Sequence, residues 1–314
     1  MPVRDGGAGT GTRDPSVLSR ADVQGWISDR RSDASSDGLP PTRYRFSIPR
    51  PPLAEFVARF WYYEGVAPPH AMERVLPDGA MQIVINLRDD ALRVYDPQNP
   101  ARFQRFPGCL ACGARSSFVV LDTASQTATM GVHFKPGGAF PFLAESAGAL
   151  RDADTSLDAL WGAAANDLRA QLCAAATPED KFRLLEQTLL ARVRPLLVGH
   201  PAVAFALRQF RVMPDMPTVA AVVAQAGLSP RHFVQVFSDA VGLTPKLFCR
   251  IRRFQNVLRA LEGGQRVAWA DVAVACGYCD QAHLIRDFQA FAGLTPTAYL
   301  ARRGVHGNHV PLPD

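Results

Sequence analysis

The tetrapeptide Gly-Leu-Thr-Pro is written twice, at Gly242–Pro245 and at Gly293–Pro296, 51 positions apart. The repeat extends well beyond those four residues. Ala220, Val222, Val223 and Gly227 fall on Ala270, Val272, Ala273 and Gly277, 50 positions later. Phe233, Phe237 and the tetrapeptide fall on Leu284, Phe288 and the second tetrapeptide, 51 positions later. The offset changes just after Gly227 and Gly277, in a turn, where an inserted residue is tolerated. A duplicated unit of this kind constrains the fold more than composition does, because the same packing must be satisfied twice.

Each copy reads as two helices. A short Ala/Val helix (Val219–Ala226; Ala270–Cys276) ends at a glycine, which can take the left-handed conformation that stops a helix. A second helix follows within two or three residues. Ser229-Pro230 is an N-cap followed by proline at the first helical position, and Asp280 is the equivalent cap. Phe233, Val236 and Phe237, or Leu284 and Phe288, supply the inward face. This is a helix-turn-helix in tandem.

The outward faces carry the chemistry. They show Arg231, His232, Val234 and Gln235 in the first copy, and Gln281, Ala282, His283, Ile285 and Arg286 in the second. Arginine and glutamine near a helix N-terminus can reach base edges in the major groove. A solvated helix face contains similar residues, so the duplication, the caps and the charge have to be weighed with them. From Phe205 to Gly304 there are 12 Arg and Lys against 6 Asp and Glu, while the rest of the chain carries 22 against 23. The positive charge of the chain therefore belongs to this segment and favours a polyanion as partner. A linking helix over Pro245–Gly264, about 20 residues and about 30 Å long, would hold the two reading helices about one DNA turn apart. Thr244 and Thr295 cap the helices that follow them. With Ser229 and Lys246 they are expected at phosphates, where helix N-termini and hydroxyls serve.

Ahead of this lies a different pattern. Residues 1–40, rich in Gly, Asp, Ser and Arg, read as a disordered tail. Residues 41–150 alternate in short runs: "MQIVINLR" sets Met81, Ile83, Ile85 and Leu87 on one face, and "TMGVHFKPGG" does the same with Met130, Val132 and Phe134. Such strands between Pro/Gly turns predict an antiparallel sandwich or small barrel. Residues 151–204 switch to helical spacing, with a stripe of Phe182, Leu185, Leu189, Val193 and Leu196. That stripe either packs on its own barrel or forms a dimer seam. Residues 305–314 read as a tail. The fold class expected is α+β: an N-terminal antiparallel β-barrel, a helical linker, then an all-α domain.

With 47% hydrophobic and 20% charged residues, the composition is that of a soluble globular protein. There is no apolar run of about 20 residues and no apolar core near the N-terminus, so neither a membrane nor a secretory signal is expected and the location expected is cytoplasmic. The six cysteines then sit where disulfides are rare. Cys109–Cys112 and Cys276–Cys279 are C-x-x-C pairs, but they lie in different segments, and packing thiols are expected rather than zinc ligands.

The stretches "GLSPRHFVQVFSDAVGLTPKLFCRIRRFQNVLRAL" and "VAVACGYCDQAHLIRDFQAFAGLTPTAYLARR" resemble the two-motif DNA-binding domain of the AraC/XylS transcription regulators, over about residues 205–304. The resemblance implies duplex DNA as partner, with Arg231, Val234 and Gln235, then Gln281, His283 and Arg286, at the bases. Val234 departs from the polar residues often found there and would read a thymine methyl or nothing. Arg253 matches a linker-helix arginine for which a structural salt bridge and a phosphate contact are both open. RNA polymerase, a small-molecule effector and a homodimer are the further partners implied. "PPLAEFVARFWYYEG", "VLPDGAMQIVINL" and "GVHFKPGGAF" more weakly resemble the cupin-like sensor domains of some such regulators. Trp61, Tyr63, Arg74, Arg115, His133 and Lys135 are the candidates for an effector pocket, their three cations favouring an anion; each is otherwise an ordinary core or surface residue. His70 and His133 stand alone, so no metal is expected, and neither is a cofactor or an enzymatic activity. The alternative is a zinc-thiolate DNA-repair methyl acceptor fused to this type of domain, which needs four thiolates where Cys109 and Cys112 supply two.

Overall fold

The computed structural model describes residues 43–193, 199–211, 216–263, 267–304 and 306–312. The 1–40 segment and Leu196 lie outside them. The strands are β1 (Arg43–Ser47), β2 (Val57–Glu64), β3 (Met72–Val75), β4 (Gln82–Asn86), β5 (Ala91–Tyr95), β6 (Phe103–Pro107), β7 (Cys109–Cys112), β8 (Val119–Asp122), β9 (Ala128–Phe134), β10 (Asp154–Ser156) and β11 (His309–Pro311). They form two sheets, in the orders β1-β2-β9-β4-β7-β10 and β11-β3-β8-β5-β6, with every pair antiparallel. Among the described residues no strand pairing joins one sheet to the other, so the barrel does not close and the architecture is a two-sheet sandwich.

Alternation decides which face goes where. Ile83, Ile85, Met130, Val132 and Phe134 are fully buried on one face of the first sheet. Three helices cover that face: α2 (Leu157–Trp161), α3 (Ala163–Ala174) and α4 (Pro178–Arg192), after the single turn α1 (Phe140–Leu143). Leu185 and Leu189 of α4 are 1% and 0% exposed, so the apolar stripe packs on its own sheet. The opposite face sends Val84, Leu110 and Cys112 against Leu92, Val94 and Phe106 of the second sheet. Cys109 and Cys112 are three apart on β7, and the period of two turns them to opposite faces.

The C-terminal domain consists of α5 (Pro201–Gln209), α6 (Val219–Ala226), α7 (Pro230–Val241), α8 (Pro245–Ala260), α9 (Trp269–Ala275), α10 (Gln281–Ala292) and α11 (Pro296–Arg302). Its core stacks aromatic rings: Phe233, Phe237 and Phe248 under the first motif, Phe254, Phe288 and Tyr299 under the second. The linking helix α8 is shorter than its sequence suggests. It runs 16 residues, about 24 Å, and closes in a 3-10 turn at Leu261–Gly263, where glycine disfavours further helix.

Two expectations about the chain's organisation change. Within the segment read as a tail, residues 306–312 are ordered against the body: His309–Pro311 adds a strand to β3, and Leu76 N–H donates to Asn308 O at 2.9 Å. Without it, β3 would leave a bare edge of unpaired backbone groups; in place, it buries Val310 fully. The 151–204 segment is likewise no mere linker, because Asp154–Ser156 pairs with β7 and the helices after it complete the core. One continuous buried cluster then runs from the sandwich into the helix-turn-helix units.

Candidate nucleic-acid interface

Both motifs are built from short-range signals that the structure realises. Ser229 Oγ accepts the His232 N–H at 3.3 Å and Asp280 Oδ1 the His283 N–H at 2.6 Å, so both second helices begin at satisfied caps. Gly227 and Gly277, at φ +68° and +78°, turn the chain between the helices of each motif. Phe233 and Phe237, or Leu284 and Phe288, are 0% exposed, which fixes the rotation of α7 and α10 and sends the intervening positions outward.

Arg231, His232 and Gln235 are exposed on α7, as is Val234 at 39%. Together with Ser229, the polar three line a surface hollow of about 360 Å³ at the start of the helix. Gln281 and Arg286 are exposed on α10, whereas His283 is half-buried with its ring edge-on to Tyr278 at 5.1 Å. Thr244 and Thr295 cap α8 and α11 by accepting the Leu247 and Ala298 N–H groups at 3.4 and 3.2 Å. A hydroxyl that accepts in this way keeps its own proton to donate. Lys246 is exposed beside Thr244.

The second motif is tied to the linking helix by a contact that spacing along the chain does not reveal. Arg250 on α8 donates to Asp287 on α10 through Nε and Nη2, at 3.1 and 2.7 Å, and the Asp287 side chain is 3% exposed. Arg253 makes a different contact, lying 5.5 Å over the Tyr278 ring. Burial raises the Tyr278 hydroxyl well above its ordinary pKa. The signal for Asp287 was available in principle: it falls three positions after Leu284 and one before Phe288, on the inward face, where a lone carboxylate requires a cation.

The tetrapeptide turns have a second use. Gly242 (φ +85°) packs so tightly that a Cβ would lie 3.0 Å from Ala147 O and 3.1 Å from Ala114 Cβ. At Gly293 (φ +64°) it would lie 2.7 Å from the Phe118 ring. Both turns rest on the N-terminal domain, and glycine satisfies the positive φ and the close approach together. Between them α8 rests on the Pro77–Gly79 turn, with Gln255 Nε2 donating to Pro77 O at 2.8 Å.

The six effector-pocket candidates do not converge. Trp61, Tyr63 and His133 share a face of the first sheet by register, but His133 Nε2 is held 2.6 Å from Asp78 Oδ2. Arg74 lies on the other sheet, 5.1 Å over the Phe118 ring, and burial followed by Arg302 lowers its pKa. Arg115 pairs with Asp154, and Lys135 donates to Ala54 O. The three cations expected around an anion are thus dispersed: Arg115 and Lys135 have local oxygen partners, whereas Arg74 Nε and Nη1 are buried without a hydrogen-bond partner. The two β7 thiols turn to opposite faces of the sheet, and burial pushes Cys109 up to about 12 and Cys112 well above its ordinary value. Among the described residues, no three His, Cys, Asp or Glu side chains are grouped to hold a metal ion.

Residues 45–156 match a domain of unknown function (DUF6597), and residues 222–302 match a helix-turn-helix domain family. Over 75 residues the chain is 35% identical to the HTH-type transcriptional regulator Rv1931c of Mycobacterium tuberculosis, covering 24% of this chain and 29% of that protein. The match thus spans less than a third of that relative. Among solved structures, an apo lysine-to-alanine variant of ToxT from Vibrio cholerae is similar with a TM-score of 0.41 and 9% identity, over 83% of this chain and 97% of that one. ToxT of the same species bound to an unsaturated fatty acid gives 0.40 and 10%, over 74% and 91%. From the doubled motif, its matching caps and the family match across both units, the C-terminal part of this chain is a two-motif helix-turn-helix domain.

Proposed function

We propose that the chain is a sequence-specific regulator of transcription that binds double-stranded DNA through both motifs. Arg231, Val234 and Gln235 face bases in one major-groove segment, and Gln281, His283 and Arg286 face bases in the next. Ser229, Thr244, Lys246 and Thr295 meet phosphates. The observation that carries this reading is the pair of capped helices whose Phe233, Phe237, Leu284 and Phe288 are fully buried and whose Arg and Gln side chains are left exposed, the second of them tied to the linking helix by the Arg250–Asp287 pair. Neither the caps nor the outward Arg/Gln positions have degenerated in either copy, which favours DNA reading over a purely structural role. The thiols of β7, facing opposite ways, give no support to the zinc-thiolate alternative.

Modulation through the N-terminal domain belongs to the same proposal, supported by the seating of both Gly-Leu-Thr-Pro turns on that domain. A small-molecule effector, a homodimer and RNA polymerase are the partners this activity would engage. Selection of bound sites from random duplex DNA tests the core claim. The result expected is a motif of two adjacent major-groove segments per chain, with affinity falling steeply with salt. Arg286→Ala should cost about 1–3 kcal/mol at one base position and relax selectivity there. Equal loss on every sequence would reduce Arg286 to a phosphate contact, and no enriched motif at all would end the reading.

A further inference from the structure

We propose that Asp239 is a positioning residue through which the N-terminal domain sets the side chain of Gln235, and with it the base preference of α7. The inference rests on the DNA reading given above and adds a route of control to it. Gln235 Nε2 donates to Asp239 Oδ1 and Oδ2, each at 3.0 Å, one helical turn along α7. On its own, such an exposed pair adds only tenths of a kcal/mol to a helix. Asp239, however, is also where the N-terminal domain grips α7. Its backbone oxygen accepts the Ala147 N–H at 2.8 Å. Gly148 fits so closely beneath it that a Cβ there would lie 3.2 Å from Asp239 Oδ1, 3.2 Å from Ser238 O and 3.4 Å from Asp239 Cα.

Glutamine reads adenine with both ends of its amide, the oxygen accepting from N6 and the nitrogen donating to N7. With Nε2 anchored on Asp239, the amide plane is fixed and one N–H is already committed. The remaining N–H and the oxygen are then presented in one orientation rather than several. A shift of the loop around Ala147 and Gly148 moves Asp239, and the amide follows. The first reading helix would thereby sense the N-terminal domain without any rigid-body motion of the two domains.

The test uses the full chain, the site recovered by selection, and a panel of single-base-pair variants of that site. Gln235→Ala and Arg286→Ala first assign the base pair each residue reads. Asp239→Ala should then change the preference at the Gln235 base pair by about tenfold, the equivalent of about 1.4 kcal/mol. Preference at the Arg286 base pair and the slope of affinity against salt should stay as in the parent. Asp239→Asn, which keeps an acceptor for Nε2, should restore most of the preference. Gly148→Ala, remote from the bases, should alter the same base pair as Asp239→Ala. Thermal melts separate folding defects, and if Asp239→Ala does not fold, Asp239→Asn and Gly148→Ala decide. An unchanged preference at the Gln235 base pair, or a uniform loss at every base pair, overturns the proposal while leaving the DNA reading intact. A parent chain that discriminates at no base pair overturns the DNA reading and this inference together.

Discussion

Asp78 and His133 illustrate how a side chain expected at a pocket can be claimed by a structural task. They meet at 2.6 Å, Asp78 being part of the turn on which α8 rests. Burial alone would raise the Asp78 carboxyl. The His133 charge and hydrogen bond, the Ala80 N–H and the more distant Arg59 outweigh it and hold the carboxyl below its ordinary value of 3.8. A carboxyl whose folded value is depressed contributes stability that is complete above the unfolded value. That contribution begins to fade as pH drops to about 3.8 and is gone once pH has passed the lower folded value. Asp78→Asn should therefore flatten the acid limb of stability against pH while costing stability at neutral pH. Urea unfolding at a series of pH values checks this, and parallel acid limbs for the two proteins would count against it. None of this was legible in the sequence, because the two residues are 55 positions apart. The cap at Ser229 was legible, since donor and acceptor lie within one turn.

At the scale of the element, β11 shows what a terminal segment can do for a sheet. Its three residues satisfy the outer edge of β3, bury Val310 completely and bring Asn308 Oδ1 to Gln255 of α8 at 3.0 Å. A chain ending at Gly304 should lose about 3 kcal/mol or more, from one buried valine and several backbone hydrogen bonds. A lower thermal midpoint with faster proteolysis near β3 is the outcome expected. An unchanged midpoint would mean that the edge is indifferent to its cover. The segment reads as a tail because strand pairing with a partner over 200 positions away leaves no local mark. The helices of both motifs, by contrast, were read with boundaries shifted by only a residue or so, because caps, glycine stops and apolar period are all local.

For the whole molecule, the central fact is that two domains of different class share one buried cluster. Both reading helices are therefore held by packing that extends into the sandwich, through Gly242 and Gly293, and neither motif is an independent module on a string. If phosphates seat on the N-termini of α8 and α11 as proposed, the slope of log affinity against log salt measures those contacts. Lys246→Ala should weaken binding uniformly across sequences and make that slope shallower by about one. Salt titration of the parent and variant on the selected site gives the answer, and a sequence-dependent loss would instead place Lys246 at a base.

The duplicated motif, its caps, its inward and outward faces and the alternation of the strands were determined by the sequence itself. Each rests on residues within a turn of helix or a few positions of strand, where geometry is nearly independent of the rest of the chain. What only the tertiary structure decided was every choice among distant partners. The barrel stayed open as two sheets, β11 closed an edge, and Arg250 rather than Arg253 met Asp287. The cations proposed for one pocket were scattered to separate partners. Such choices depend on which surfaces the packed core brings within a few ångströms. Spacing along the chain carries no trace of that until the core has formed.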